Sequence, residues 1–322
     1  MRGHTIPVGS SSRYCFCDAL RFVARRSRVS PCQRFAAGLT MPALLALAGC
    51  ATARLNQFNT FAQAGINYVA ASQTVIQDAG TAAVNTDSAL LVKARPSLDQ
   101  SQRKARVATS DALLKQRLQV LQLISAHGKL LQAYFEALAS LSDPKAKNSI
   151  GTAAQGAYDS LAKLSPTLKN AKMGSTSVSS FIPTATAPVV ATFKVHALNE
   201  ELKARSNAIA NELALQEAAF SAIAAELKTD AQVQQNFRET DSINQFTAET
   251  PLPAEWASQR LTLLSTPPAI ASADAASKAA AKLRSAFTAV VENRLDSAGF
   301  ASLMSDISNM VTIAQSIQGA VK

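Results

Sequence analysis

The sequence predicts an all-α fold, an elongated bundle of long amphipathic helices, and three observations carry that prediction. The first is composition. Beyond residue 50 the chain is rich in Ala, Leu, Gln, Lys and Glu, and aromatic residues make up only 6% of its 322 positions, a balance that favours helix over strand. The second is punctuation: glycine and proline are missing from the runs 97–127, 189–250 and 269–298. The third is periodicity. Leu114, Leu118, Leu121, Ile124, Leu131, Phe135 and Leu138 recur at spacings of three, four and seven, and so do Leu198, Leu202, Ile209, Leu213, Phe220, Ile223 and Leu227. Such spacing gives a helix one dry stripe.

Taken in order, the expected helices cover 52–94, 98–142, 144–164, 189–249, 254–264, 268–294 and 298–320. The first runs to the residues just before Pro96. The second begins at a capping box, with Ser97 as the cap and Gln100 three residues later. Asp143-Pro144, Ser165-Pro166 and Thr266-Pro267 each set a capping side chain before a proline whose missing N–H costs nothing in a first turn. The stretch 189–250 is long enough for one helix of roughly 90 Å at about 1.5 Å per residue, or for two with a break near Asp230 or Asp241. In it Glu200, Glu201, Lys203 and Glu212 fall outside the apolar seam. The last helix carries Leu303, Ile307, Met310, Ala314, Ile317 and Val321 on one face, and the Ala-rich stretch 271–281 lets neighbours approach closely. Narrow seams of this kind suit the shallow crossings of bundles and coiled coils.

One segment departs from the pattern. Residues 174–188 read GSTSVSSFIPTATAP, whose small, β-branched and proline residues deny a helix. The plain expectation is a connector between helical hairpins; the sharper one is an apolar tongue centred on Phe181, Ile182 and Val189 that touches membrane or ligand.

Charge is divided unevenly. The formal balance of +10 includes seven basic residues and one acid before residue 50, which leaves 25 against 21, or +4, from Cys50 onward. All four cysteines, Cys15, Cys17, Cys32 and Cys50, lie at or before that point. The rest of the chain can therefore form neither a disulfide nor a thiolate metal cage. Arg21, Arg25, Arg26, Arg28 and Arg34 precede an uncharged stretch, Phe35 to Gly49. A basic region, a short apolar core and small residues in that order make a secretory signal. Residues 1–49 are accordingly expected to be a cleaved signal segment, with 1–34 read as an over-extended start, and residues 50–322 to form a single helical domain.

Leu47, Ala48, Gly49 and Cys50 resemble the lipobox of bacterial lipoproteins, the tetrapeptide read by signal peptidase II. The resemblance is confined to this segment. It implies cleavage before Cys50 and acyl chains on that residue, and two or three such chains hold a protein stably on a membrane. Ala51 in place of Asp implies, by the sorting rule of enteric bacteria, an outer-membrane address, facing the periplasm or the cell surface.

Catalytic constellations are sparse beyond Cys50. His127 and His196 lie on different expected helices with no carboxylate at HExxH spacing, so zinc hydrolysis is disfavoured. His127 reads as a packed imidazole and His196 as a surface residue. There is no GxSxG elbow, no glycine-rich phosphate loop and no Glu-x-x-His pair for a di-iron bundle. The expectation is a protein that is not an enzyme, without metal or cofactor beyond acyl lipid on Cys50.

What remains is charge placement. Residues 93–117 gather Lys93, Arg95, Arg103, Lys104, Arg106, Lys115 and Arg117, whereas 206–250 gather Glu212, Glu217, Glu226, Asp230, Glu239, Asp241 and Glu249. Either these are solvated faces of two helices, or Arg95, Arg103, Lys104, Arg106, Lys115 and Arg117 form a patch for an anionic or acidic partner. Nucleic acid is a poor partner, since no stacking aromatics interleave the bases. Trp256 reads as a packing anchor over a helix start. Three functions follow as expectations: contact with an envelope protein or polymer from a lipid anchor, carriage of a lipid or other apolar molecule in a groove, and perturbation of a membrane by the segment near 174–193.

Overall fold

The computed structural model describes residues 41–142, 148–183, 196–264, 268–294 and 297–319, with backbone alone at 41–54, 148–150, 196–197, 262, 297 and 314–319. The chain divides into Met1–Leu45 and Ala46–Lys322, and the second unit is an all-α helical bundle. The elements in chain order are α1 (Met41–Ala94), which belongs to the second unit from Ala46 onward, α2 (Gln100–Leu141), α3 (Asn148–Lys169), the short strands β1 (Lys172–Met173) and β2 (Thr176–Ser177), α4 (His196–Thr247), α5 (Trp256–Leu264), α6 (Pro268–Val291) and α7 (Ser297–Gly319). Among the described residues no helix is long and apolar enough to cross a membrane.

Contacts between side chains set the register. Asp87 meets Ser110, Gln73 meets Ser125 and Phe61 meets Phe135, so α1 and α2 form an antiparallel hairpin. Tyr68 meets Phe220, Thr86 meets Gln234 and Lys93 meets Asp241, which sets α4 parallel to α1. Helix α3 is parallel to α4, through Arg205 over the Tyr158 ring and Ser165 at Glu212. Helix α6 runs antiparallel to α4, from Lys228 at Asp274 to Arg284 at Glu217.

The dry stripes meet in one core. Phe58, Phe61, Phe135 and Phe287 are fully buried, and Phe61 lies 5.7 Å edge-on from Phe135 and 5.5 Å from Phe287. Gly65 makes room for this cluster: a Cβ there would stand 2.6 Å from the Phe135 ring. The alanine stretch of α6 does what its composition predicts. Ala273, Ala276, Ala279 and Ala280 are buried, and α4 comes close enough for Ser221 Oγ and Ser277 Oγ to lie 2.8 Å apart.

Two sequence expectations change, one open alternative is resolved and one connector is refined. Helix α2 is capped by Asp99, not Ser97. Pro96 sits in a 3₁₀ turn (Arg95–Ser97) and Leu98 is extended (φ −116°, ψ 138°), so the helix begins two residues later. Asp99 accepts from the Gln102 N–H at 2.9 Å, and Gln102 accepts in return from the Asp99 N–H at 3.0 Å. Ser165-Pro166 does not begin a helix, because α3 continues to Lys169 with Pro166 in its last turn, where the interruption falls at the helix end and costs little. Of the two readings of the long stretch, the single helix holds from His196 to Thr247, and Asp230 and Asp241 are each held by a cation from a neighbouring helix. Finally, the non-helical connector starts as a β-hairpin with Gly174 at φ +60°, where a Cβ would collide with the Glu226 carboxylate. Met173 and Val178 of this connector are buried and Phe181 is half exposed. Residues 184–195, including Val189, and the Asp143-Pro144 and Thr266-Pro267 starts lie outside the described residues.

Candidate interaction surface

The residues singled out from sequence fall into three groups. Leu47, Ala48, Gly49 and Cys50 lie within α1, and their side chains lie outside the described residues, as does that of His196. Arg95, Arg103, Lys104, Arg106 and Lys115 are exposed, and none is within salt-bridge reach of a carboxylate among the described residues; Arg103 Nε donates to the Arg95 carbonyl at 3.1 Å. Arg117 stands apart. Its side chain is only 12% exposed, and its guanidinium pairs with Asp230 and lies 3.7 Å from Glu226.

The basic and acidic segments are thus partly each other's partners. Lys93 bridges Asp241 at 2.8 Å, and Glu217 is taken by Arg284 at 2.9 Å. Of the cations left over, Arg95, Arg103, Lys104 and Arg106 gather at one end of the bundle, where α1 gives way to α2. By the helix register this end also carries the last turns of α4 and the α4–α5 connection. There Trp256 packs over its helix start, stacked 5.7 Å from Phe246 at 25°, and its Nε1 donates to the Ser242 carbonyl at 3.3 Å. Glu239, Ile243, Phe246, Trp256, Arg260 and Leu264 help to line an open groove of about 440 Å³ beside it. Leu261 is 71% and Leu264 72% exposed. Asp99, at the start of α2, has its carboxyl held below the usual range, chiefly by the backbone N–H of Gln102.

Deeper in the bundle lies a set of polar contacts that the sequence reading missed. His127, fully buried, places Nε2 2.8 Å from Glu212 Oε2, while Gln216 Nε2 donates to His127 Nδ1 at 2.7 Å and to the Ile124 carbonyl at 3.4 Å. The two Gln216 donor contacts put the imidazole proton on Nε2, directed at Glu212. Ser165 Oγ reaches the same Glu212 oxygen at 2.5 Å. Glu201 accepts from Tyr134 at 3.0 Å and pairs with Arg205. Glu226 accepts from Thr176 at 3.2 Å beside Arg117. Burial raises the carboxyls of Glu201 and Glu226 above their ordinary range, and it raises the Tyr134 and Tyr68 hydroxyls as well.

Glu201 and Glu212 therefore face inward, contrary to the solvated face expected of them. A signal was present. Each buried acid follows a buried aliphatic by three residues, Leu198 to Glu201, Ile209 to Glu212 and Ile223 to Glu226, which places it on the edge of the same stripe. The Ser165, Glu212 and His127 cluster has its acid between serine and histidine. The hydroxyl meets the carboxylate and not the imidazole, so the serine–histidine–acid order of a catalytic triad is not made. Among the described residues no group of three His, Cys, Asp or Glu is placed to hold a metal ion.

Comparisons with protein-family models, with curated proteins and with solved structures each return no match.

Proposed function

We propose that the chain is a bacterial lipoprotein of the outer membrane, held by acyl chains on Cys50, which acts without catalysis by helix-face contact with an envelope protein or polymer. The observation that carries the reading is the separation of two features along α1. The Leu47-Ala48-Gly49-Cys50 motif lies near the start of the helix, and the unpaired cations Arg95, Arg103, Lys104 and Arg106 gather just past its end at Ala94. The 44 steps from residue 50 to residue 94 cover about 66 Å at ~1.5 Å per residue, so the exposed charge stands well away from the anchoring point along that helix.

Metabolic labelling with palmitate tests the anchor. The wild-type chain incorporates label and sediments with membranes, whereas Cys50→Ala does neither; an unlabelled wild-type chain removes the reading. Cross-linking in cells followed by affinity purification tests the contact function. Recovery of an envelope protein or glycan is expected, and it should be lost on Arg103→Glu/Arg106→Glu.

A further inference from the structure

The end of the bundle that carries Arg95, Arg103, Lys104 and Arg106 also carries unpaired acids. Glu239, Glu249 and Glu255 are exposed and have no cation within salt-bridge reach among the described residues. They belong to α4 and the α4–α5 connection, whereas Arg95, Arg103, Lys104 and Arg106 belong to the α1–α2 connection and the start of α2. The acidic side also holds two cations with no carboxylate in salt-bridge reach among the described residues, Arg238, which donates to Gln234 at 3.2 Å, and Arg260, which lies over the Trp256 ring at 5.5 Å, so its three acids are in excess by one. Both sides bear exposed apolar side chains, Val92 and Leu113 on one, Phe246 and Leu261 on the other, between 62% and 72% exposed. From Gln100 to Gln119, helix α2 buries no side chain.

We infer that this end is a homotypic interface, on which a second copy of the chain docks about a two-fold axis. The basic face of α2 in each copy then lies against the carboxylates of α4 and the α4–α5 connection in the other. A two-fold repeat satisfies both charge sets at once, because each surface occurs once per copy and meets its complement in the partner. An anionic polymer or bilayer would neutralise the cations but would be repelled by Glu239, Glu249 and Glu255. The apolar side chains supply area that leaves water on docking, and the charges set register and orientation. The inference names the partner of the contact surface proposed above, and it does not rest on acylation of Cys50.

Two charge-reversed variants test it on the purified full-length chain, kept in one detergent throughout: Arg103→Glu/Arg106→Glu and Glu239→Lys/Glu249→Lys. All four residues are exposed, and unchanged circular dichroism and melting temperature establish that each variant is folded. By sedimentation equilibrium the wild type forms a dimer that weakens with added salt. Each variant alone associates about a hundredfold more weakly, because both contacts become repulsive. An equal mixture of the two restores the dimer, since each reversed surface then meets a reversed complement. A wild-type chain that stays monomeric over roughly a hundredfold range of concentration overturns the inference, as do variants that dimerise alone like the wild type or a mixture that fails to associate. In the first case, cell cross-linking that still recovers a different envelope component leaves the contact function standing while the second copy falls as its partner.

Discussion

Helices α1, α2 and α4 each change character part-way along, and they do so near a common level. Helix α1 buries a side chain on nearly every turn from Phe58 to Ala83, but beyond that it buries only Thr86; α2 buries none before Val120; α4 buries none after Leu227. On one side of this level lies an aromatic and aliphatic core with α3, α6 and α7 around it. On the other, three helices continue with hydrogen bonds and ion pairs between them, Ser110 to Asp87, Gln234 to Thr86 and Lys93 to Asp241. Most helical stability in proteins comes from packing an apolar face. The far half therefore stays helical by intrinsic propensity, by its cap at Asp99 and by continuity with helices anchored elsewhere. A region held this way sits at the low end of local stability and has exposed surface to offer.

The sharpest way to break the comparison is to cut matching side chains from the two halves. Phe61→Ala should lower the free energy of unfolding by about 3–5 kcal/mol, because the hole opens among Phe58, Phe135 and Phe287. Leu113→Ala, at 62% exposure, should stay within about 0.5 kcal/mol. Urea titration of the two variants reads the contrast directly.

Next in size is the buried polar cluster. His127→Leu leaves the Glu212 carboxylate with Ser165 alone, and losing a buried hydrogen bond to a charged group in this way costs on the order of 2 kcal/mol. His127→Leu/Glu212→Leu should recover much of that loss. A double variant as unstable as the single one would show that shape, not pairing, dominates at this position.

A smaller effect is expected at the cap. Asp99→Ala removes the acceptor for the Gln102 N–H and should cost about 1 kcal/mol of helix stability. Because the cap lies in the far half, hydrogen exchange should quicken between 100 and 117 while the amides of 120–141 keep their protection.

The smallest effect concerns pH. The folded-state pKa values of Glu201 and Glu226 are raised above the ordinary 4.5 by burial. The stability these groups contribute is therefore fully present below 4.5 and is lost as pH rises through their folded-state values, since the unfolded chain releases its protons first. Urea midpoints measured upward from there should decline, and Glu201→Gln or Glu226→Gln should flatten the decline. Both groups lie in the packed half, where their side chains are buried.

Much of the architecture was legible in the residues. Leu198, Leu202, Ile209, Leu213, Phe220, Ile223 and Leu227 are all buried, as their spacing predicted, because a helix of 3.6 residues per turn turns a local pattern into a face. Boundaries were less legible. Ser97 and Asp99 both stand three residues before a glutamine, and the choice between them depended on the turn that Pro96 makes. Of the candidate contact surface, Arg95, Arg103, Lys104, Arg106 and Lys115 emerged exposed and without a carboxylate partner, whereas Arg117 was absorbed into the bundle.

Sequence alone determined that the described elements are helices and where their apolar stripes run, since propensity and periodicity act within a few turns. Only the tertiary structure decided which charges are spent inside the molecule and which remain available. Arg117 and Asp230 are 113 residues apart and His127 and Glu212 are 85 apart, so their pairing depends on the register of separate helices. That register is set by how side chains interlock across the core, and no spacing along one helix contains it.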